Sequence, residues 1–169
     1  MRKWNIGWGP VSHCNMECQF CYSKYRRKDI KDLKYKDWKK FIDQNQAYIA
    51  SINYGTGENT LDRDWFRLTD YIRVNYPEIR QALTTNGYLS EAVKNKEHLD
   101  IFIRSLDEID VSLDFSDEEK HGELRGQPKA YQWALKTLEL CQTYAKQATM
   151  VFLGSKVNLY KENIMGYSR

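Results

Sequence analysis

Apolar and polar positions along the chain follow two alternating periods. Short apolar runs rich in strand-forming residues are each followed by a longer segment with apolar residues at helical spacing. This alternation predicts a parallel sheet with right-handed helical crossovers. The predicted strands cover residues 4–11, 50–54, 79–85, 109–115 and 148–153, and the predicted helices cover residues 37–50, 61–75, 91–105 and 128–146.

Proline, turn-forming and helix-capping residues predict where these elements begin and end. Pro77 ends the second helical region because proline cannot continue a helix. The Asn86-Gly87 pair predicts a turn after the third strand. Ser90 is expected to cap the third helix, and residues 116–119 carry a capping-box pattern.

The fourth predicted strand has one apolar face and one polar face. A flat parallel sheet covered by helices on both sides would not favour a polar face. The alternation therefore favours a curved sheet or partial barrel with a polar lumen. The apolar face carries Ile109, Val111, Leu113 and Phe115, and the lumen face carries Asp110, Ser112 and Asp114.

Three of the four cysteines lie together directly after the first strand. Cys14, Cys18 and Cys21 have the spacing C-x3-C-x2-C. Three thiolates leave one iron of a cubane iron–sulfur cluster free to bind something else. The alternative is a zinc site with His13 as fourth ligand, although structural zinc prefers a closed set of four ligands. Cys141 lies on the apolar side of the fourth helix, so we expect a buried small side chain there.

Composition and charge indicate the size and the cellular location of the protein more than its function. The 169 residues suffice for one domain with a real core, and the net charge of +3 is too small to indicate a nucleic-acid partner by itself. We expect no transmembrane helix, no signal peptide and a cytoplasmic location. In a reducing compartment, clustered cysteines indicate metal ligands before disulfides.

Chemistry-bearing residues follow each predicted strand, and in parallel α/β proteins such sites lie at the carboxyl ends of the strands. The cysteine loop follows the first strand. The later strands lead into residues 55–58, residues 84–87, Asp114 and Gly154. The sequence therefore predicts a single site at one end of the sheet.

Together these motifs resemble the radical S-adenosylmethionine (SAM) superfamily. The resemblance rests on the cysteine spacing with Phe20 before the third cysteine. It also rests on Thr56-Gly57-Glu58, similar to the family's Gly-Gly-Glu motif, and on the strand ends Leu-Thr-Thr-Asn-Gly and Val-Ser-Leu-Asp. The resemblance implies an α/β fold, a partial (βα)6-type barrel of parallel strands. About five βα units are present, and the barrel is open on one side.

The resemblance also implies a cofactor set. Cys14, Cys18 and Cys21 would hold a [4Fe–4S] cluster whose open iron chelates the amine and carboxylate of SAM. An external electron donor would drive cleavage of SAM to a 5′-deoxyadenosyl radical, which abstracts hydrogen from a substrate. The implied SAM contacts are Phe20 beside the adenine, the backbone of Thr56, Gly57 and Glu58 at the ammonium, Ser112 or Asp114 at the ribose, and Arg125 at the carboxylate.

Some of these residues have a second interpretation. Asn86 and Asn158 are either cofactor contacts or turn residues, and Arg125 is either a carboxylate partner or a solvated charge. Thr56 replaces the motif's first glycine, and Asn59 stands where proline is common in the family. The chain also ends after five strands and a short tail, so residues 1–169 are expected to be a single core domain, either truncated or completed by another chain in a homo- or hetero-oligomer.

The opening Trp-Asn-Ile-Gly-Trp-Gly and the Phe-Cys-Tyr-Ser-Lys segment resemble maturases of ribosomally made peptides. Within that group they resemble maturases of nitrile-hydratase-leader-like precursors, including the splicease that excises a tyramine unit. This implies a precursor-peptide substrate and a small leader-recognition partner protein. Two alternatives stay open. One is a radical enzyme acting on a small molecule, nucleotide or tRNA, favoured only by the basic residues 24–36; the other is a non-catalytic iron–sulfur or zinc protein.

Overall fold

Five parallel strands form one sheet in the order β1-β2-β3-β4-β5. The structure is a computed structural model that describes residues 3–25 and 32–167. Each strand pairs with the next in sequence, as expected for successive βα units wound in one direction. The strands are β1 (Trp4–Trp8), β2 (Ile49–Tyr54), β3 (Arg80–Thr85), β4 (Glu108–Ser112) and β5 (Gln147–Val151).

Helices connect the strands, and short 3-10 turns precede β2 and α2. The helices are α1 (Tyr35–Asn45), α2 (Arg63–Asn75), α3 (Leu89–Ala92), α4 (Lys96–Ser105), α5 (Glu118–Arg125), α6 (Ala130–Thr143) and α7 (Lys161–Gly166). The 3-10 turns are Gln46–Tyr48 and Asn59–Leu61.

The core lies between one face of the sheet and the helices. Ile52, Leu83 and Ile109 on neighbouring strands are fully buried, together with Trp65 and Phe102 from the helices. The opposite face of the sheet is polar and borders a cavity, through side chains such as Asn53, Thr84 and Ser112. The predicted sidedness of the sheet is therefore confirmed, and it separates a structural face from a functional one.

The predicted strands and helices are present, but several ends differ. β1 stops at Trp8, the last residue that pairs with β2, rather than at residue 11; Pro10 has no backbone N–H with which to continue the ladder. Val11 is nevertheless buried. The first helix ends at Asn45, whose side-chain amide donates to the Phe41 carbonyl. The fourth and fifth strands end earlier than predicted, at Ser112 and Val151.

The third predicted helix is two helices, α3 and α4. Ser90 does not cap α4. It is the second residue of α3, and its hydroxyl donates to the Gly87 carbonyl. The cap of α4 is Asn95, whose side-chain oxygen accepts from the backbone N–H groups of Glu97 and His98. The prediction of Ser90 as the cap was therefore wrong.

Two helices were not predicted as helices. α5 begins within the capping-box residues 116–119, and Asp117, one residue after the start of that box, caps it by accepting from the Lys120 backbone N–H at 2.9 Å. Its sequence is mostly polar and carries too weak an apolar stripe to be recognised by periodicity. α7 lies in the tail after the fifth strand, where no helix was predicted.

The sheet is open. β1 and β5 are its two edges within the described ranges, and every residue of β5 is exposed. This confirms the predicted partial barrel of about five βα units. Across residues 3–25 and 32–167, no helix is both long and apolar enough to cross a lipid bilayer.

Gly87 yields a test of how the third strand meets α6. Its φ is +98°, and a Cβ built there would lie 2.5 Å from the Ala134 backbone nitrogen. We expect Gly87→Ala to lower the free energy of unfolding by at least about 2 kcal/mol, because backbone strain and overlap with the helix add. Chemical denaturation measures the loss. Gly55→Ala is the control, since nothing lies within 4 Å of its added Cβ; equal losses in the two variants would contradict this packing.

Candidate functional site

The cysteine loop follows β1 and is held from both sides. The backbone N–H of Glu17 donates to the Arg125 carbonyl at 3.2 Å, and that of Gln19 donates to the Leu124 carbonyl at 3.1 Å. On the other side, the Glu58 N–H donates to the His13 carbonyl at 2.9 Å. The end of α5 and the loop after β2 thus fix the path of the cysteines.

All three cysteine side chains of this loop line one cavity. Cys18 is buried, and Cys14 and Cys21 are partly exposed; all are free thiols. Burial raises the pKa of the Cys18 thiol, and the Arg125 guanidinium opposes that rise. The Cys14 sulfur accepts from the Asn86 side-chain amide at 3.6 Å. The thiols therefore meet hydrogen-bond donors of the kind that stabilise thiolates.

The cavity has a volume of about 610 Å³ and opens to solvent. Residues at the carboxyl ends of β1, β2, β3 and β4 line it, together with Leu153 just after β5. The predicted convergence of motifs at one end of the sheet is therefore present in the structure.

The loop after β2 approaches the cysteine loop very closely. Gly57 has φ +68°, and a Cβ there would lie 2.5 Å from the Val11 carbonyl oxygen. Thr56 also has a positive φ, +69°, which is uncommon for a residue with a side chain. The conformation suits glycine, so the threonine keeps a strained backbone at a cavity-lining position.

Glu58 does not present its side chain to the cavity. Its carboxylate is fully buried and accepts from the Thr60 hydroxyl at 2.6 Å, from the Thr85 hydroxyl at 3.0 Å and from the Asn86 backbone N–H at 2.8 Å. Burial raises the pKa of this carboxyl group, and the hydrogen bonds oppose the rise. Glu58 therefore joins the ends of β2 and β3, which the sequence did not indicate.

Asp114 also points away from the cavity. Its side chain is fully buried; one oxygen accepts from Arg125 Nε at 2.7 Å and the other from the Leu153 N–H at 2.9 Å. The structure thus does not place Asp114 where it would contact a ribose in this cavity. Within β4, Ser112 lines the cavity instead.

Arg125 is neither a solvated charge nor a free carboxylate partner. The residue is 8% exposed, and both Nε and Nη2 contact the Asp114 carboxylate. Its remaining Nη1 lies 4.0 Å from the Cys18 sulfur, and its Cζ lies 5.1 Å from the centre of the Phe20 ring. Arg125 lines the cavity through this outer end.

The remaining predicted residues divide between the cavity and the scaffold. Phe20 and Asn86 line the cavity, and Asn86 is also a turn residue whose side-chain oxygen accepts from the Tyr88 N–H. Asn158 is fully buried and donates to the carbonyls of Asp114 and Leu153, so its role is structural. Cys141 is buried as predicted, and burial raises its thiol pKa to about 11.

Two residues at or behind the site were not among the predicted site residues. Tyr22 lines the cavity and is 83% exposed, and its hydroxyl lies 3.4 Å from that of Thr56. His121 is buried behind Asp114, where its Nδ1 accepts from the Asp114 backbone N–H. Only its spacing of four residues from Arg125 on one helix could have indicated it. Residues 26–31 of the basic segment 24–36 lie outside the described residues.

The donor set fits an iron–sulfur cluster. Three free thiols line one wall of a cavity, and two of them face side-chain donors, Asn86 and Arg125. Within residues 3–25 and 32–167, no three His, Cys, Asp or Glu side chains are grouped as ligands of a single metal ion. A cubane needs a wider arrangement, because each thiolate binds a different iron atom.

Comparison with known proteins supports the same assignment. The family model of the radical SAM superfamily matches residues 9–159. Mycofactocin maturase MftC of Mycolicibacterium smegmatis is 27% identical over 136 residues, which are 79% of this chain and 33% of that protein. MftC of Mycobacterium tuberculosis is 27% identical over 124 residues, 72% of this chain and 30% of that protein. The chain thus spans about a third of the length of these relatives.

Solved structures share the fold. Streptococcus suis SuiB bound to its precursor peptide SuiA superimposes with a TM-score of 0.79 at 21% identity, covering 99% of this chain and 36% of SuiB. SuiB bound to S-adenosylmethionine gives a TM-score of 0.77 at 20% identity, covering 99% of this chain and 37% of SuiB. At these identities the comparison concerns the fold.

His121 yields a pH-dependent prediction. Burial, with the nearby Arg125 charge, lowers its pKa to about 4, although Asp114 opposes the shift. The unfolded chain takes up this proton near pH 6.5, so stability present above that pH is lost as the pH falls toward 4. We expect a loss of up to about 3 kcal/mol from this group.

Urea denaturation between pH 7 and pH 4 measures this effect. In His121→Gln the side chain cannot titrate, so the decline in stability should be shallower than in the wild type. His13→Gln, at an exposed histidine of the cysteine loop, is the matched control and should keep the wild-type decline. Parallel pH profiles for the wild type and His121→Gln would show that this buried imidazole is not the cause.

Proposed function

Because this chain belongs to the radical SAM superfamily, we propose that it is the catalytic core of an enzyme that modifies a ribosomally made precursor peptide. Members of the superfamily use a [4Fe–4S] cluster and SAM. The observation that carries the proposal is the placement of three free thiols in one open cavity at the carboxyl ends of five parallel strands.

Cys14, Cys18 and Cys21 would hold the cluster, and the adjoining cavity would hold SAM. When bound, the two groups supply one-electron reductive cleavage of SAM and a radical that can abstract hydrogen. The chain's own residues supply binding and orientation. The space available to SAM is lined by Phe20, Thr56, Gly57 and Ser112.

The scaffold keeps these groups in place through contacts outside the cavity. Glu58 holds Asn86 by its backbone, and the Asn86 side chain donates to both Asn15 and Cys14. On the other wall, Arg125 holds Phe20 and Cys18 at its outer end. Buried partners of this kind fix the orientation of the groups that would bind the cofactor.

The similar proteins support a peptide substrate. MftC is named a mycofactocin maturase, and SuiB has been solved with a precursor peptide. The cavity of this chain is open, and the aromatic side chains of Trp8, Phe20 and Tyr22 border it. Aromatic surface of this kind can pack against the side chains of an extended peptide.

The finer features of the proposal follow the resemblance in sequence. They are a splicease-like excision as the reaction, a small leader-recognition protein and an external electron donor as partners, and a cytosolic location. Free cysteines support the reducing location. The exposed β5 edge supports a further strand, from this protein or from a partner, beside the described core.

The first test concerns the cysteine ligands. We expect the wild type, reconstituted with iron and sulfide, to bind about four iron atoms per chain and to cleave SAM when reduced. Cys18→Ala should lower SAM cleavage by at least about 100-fold, because even residues that only support metal ligands cost 10–100-fold when replaced. Iron content and chromatography of released deoxyadenosine measure both effects.

Cys141→Ala is the matched control for that test. Cys141 is buried in α6 and lies outside the cavity. Its replacement should leave iron content and SAM cleavage near wild type, at a modest loss of stability. Retained SAM cleavage in Cys18→Ala, or lost iron in Cys141→Ala, would refute the ligand assignment.

The second test concerns the substrate. We expect the reconstituted protein, with SAM and reductant, to change the mass of a precursor peptide encoded beside it. Mass spectrometry of reactions run in heavy water distinguishes the outcomes: loss of a tyramine unit indicates excision, gain of one carbon-bound deuterium indicates epimerisation, and loss of two hydrogens indicates a crosslink. If SAM is cleaved but no candidate peptide stimulates the cleavage or is modified, the peptide substrate is contradicted. The radical chemistry would then still hold.

A further inference from the structure

Arg125 has one guanidinium edge that is already used. Its Nε lies 2.7 Å from Asp114 Oδ2, and Nη2 contacts the same oxygen. The Arg125 side chain is 10% exposed and that of Asp114 is 0% exposed. A second carboxylate could take this edge only by displacing a buried one, and breaking a buried ion pair is strongly unfavourable.

The other edge of the guanidinium faces the cysteine loop. Nη1 lies 4.0 Å from Cys18 Sγ, within the range of a hydrogen bond to sulfur. The Phe20 ring packs 5.1 Å from Cζ and covers the guanidinium. Asp114 and Phe20 thus restrain the charge beside the most buried of the three thiols.

The same residue also holds the loop through its backbone. Its carbonyl oxygen accepts from the Glu17 N–H, one residue before Cys18. Gly126, which follows, has φ +64°, and a Cβ there would lie 3.0 Å from the Glu17 carbonyl oxygen. The position of the guanidinium relative to Cys18 is therefore set by both main chain and side chain.

We propose that Arg125 is a positioning residue that donates to the Cys18 thiolate and makes the cluster easier to reduce, with Asp114 aiming its guanidinium. This inference rests on the proposed function, since it needs a cluster on Cys14, Cys18 and Cys21. It replaces the expectation that Arg125 pairs with the SAM carboxylate.

The physical reason is electrostatic. Reduction adds an electron to the cluster, and a positive charge nearby favours the added negative charge. Hydrogen bonds to the cluster sulfurs and the local net charge are known determinants of iron–sulfur reduction potentials. The effect is larger at a buried position than in water, because the effective dielectric is lower.

The test is the midpoint potential of the reconstituted cluster, measured without SAM by an electron paramagnetic resonance redox titration. Arg125→Gln should lower the equilibrium constant for one-electron reduction at least tenfold, a shift of about 59 mV to more negative potential. Arg63→Gln is the matched control. It removes the same charge from a side chain that is 73% exposed and pairs with Glu97 outside the cavity, so its potential should stay at the wild-type value.

Arg125→Lys tests the geometry and serves if Arg125→Gln fails to fold or to hold iron. Lysine keeps the charge but lacks the second edge that reaches Cys18. Its potential should lie below wild type and above Arg125→Gln. An Arg125→Lys cluster at the wild-type potential would overturn the proposal, as would an unchanged potential in Arg125→Gln.

SAM affinity, measured by equilibrium binding to the same samples, separates the alternative. We expect Arg125→Gln to weaken SAM binding less than threefold. A tenfold weaker affinity with an unchanged potential would assign Arg125 to the SAM carboxylate instead. Failure of the wild type to assemble any cluster would refute the proposed function itself, whereas a wild-type cluster with unshifted variants refutes only the role of Arg125.

Discussion

The buried ion pair between Asp114 and Arg125 is the constraint that joins the parts of this site. Asp114 follows β4, Arg125 ends α5, and the Leu153 N–H after β5 donates to the same carboxylate. The cysteine loop is held by a hydrogen bond from the Glu17 N–H to the Arg125 carbonyl. Removing one partner of such a pair leaves an uncompensated buried charge, at a cost of about 3–5 kcal/mol. Asn158 and Asn163 also donate to the Asp114 carbonyl, so the tail is fixed to the same point.

A second buried carboxylate, that of Glu58, joins the loops after β2 and β3 to the cysteine loop. Glu58 accepts from Thr60, Thr85 and Asn86, and its own N–H donates to the His13 carbonyl. The cavity is thus framed by two acidic side chains that point away from it. Apolar packing on the other face brings the strand ends together, and these polar contacts then set the loops between them.

Local patterns were enough for the strands, their parallel order and the three cysteines, because each depends on residues close in sequence. Local patterns did not predict the roles of Glu58, Asp114 and Arg125, because the direction of a side chain after a strand ends depends on what packs behind it. Asp114 alternates with the apolar residues of β4, which placed it on the lumen face, yet β4 ends at Ser112 and the chain turns. α5 was missed since its sequence is almost entirely polar; its stability comes from the cap at Asp117 and from packing on α6.

The open side of the sheet and the open side of the cavity are connected. Leu153, two residues beyond β5, is 49% exposed and lines the cavity, while all five residues of β5 are exposed. An edge strand offers unpaired backbone groups to another strand. A strand added parallel to β5 would end beside Leu153, because parallel strands end at the same edge of a sheet. A strand added in this way would therefore also border the cavity beside Leu153.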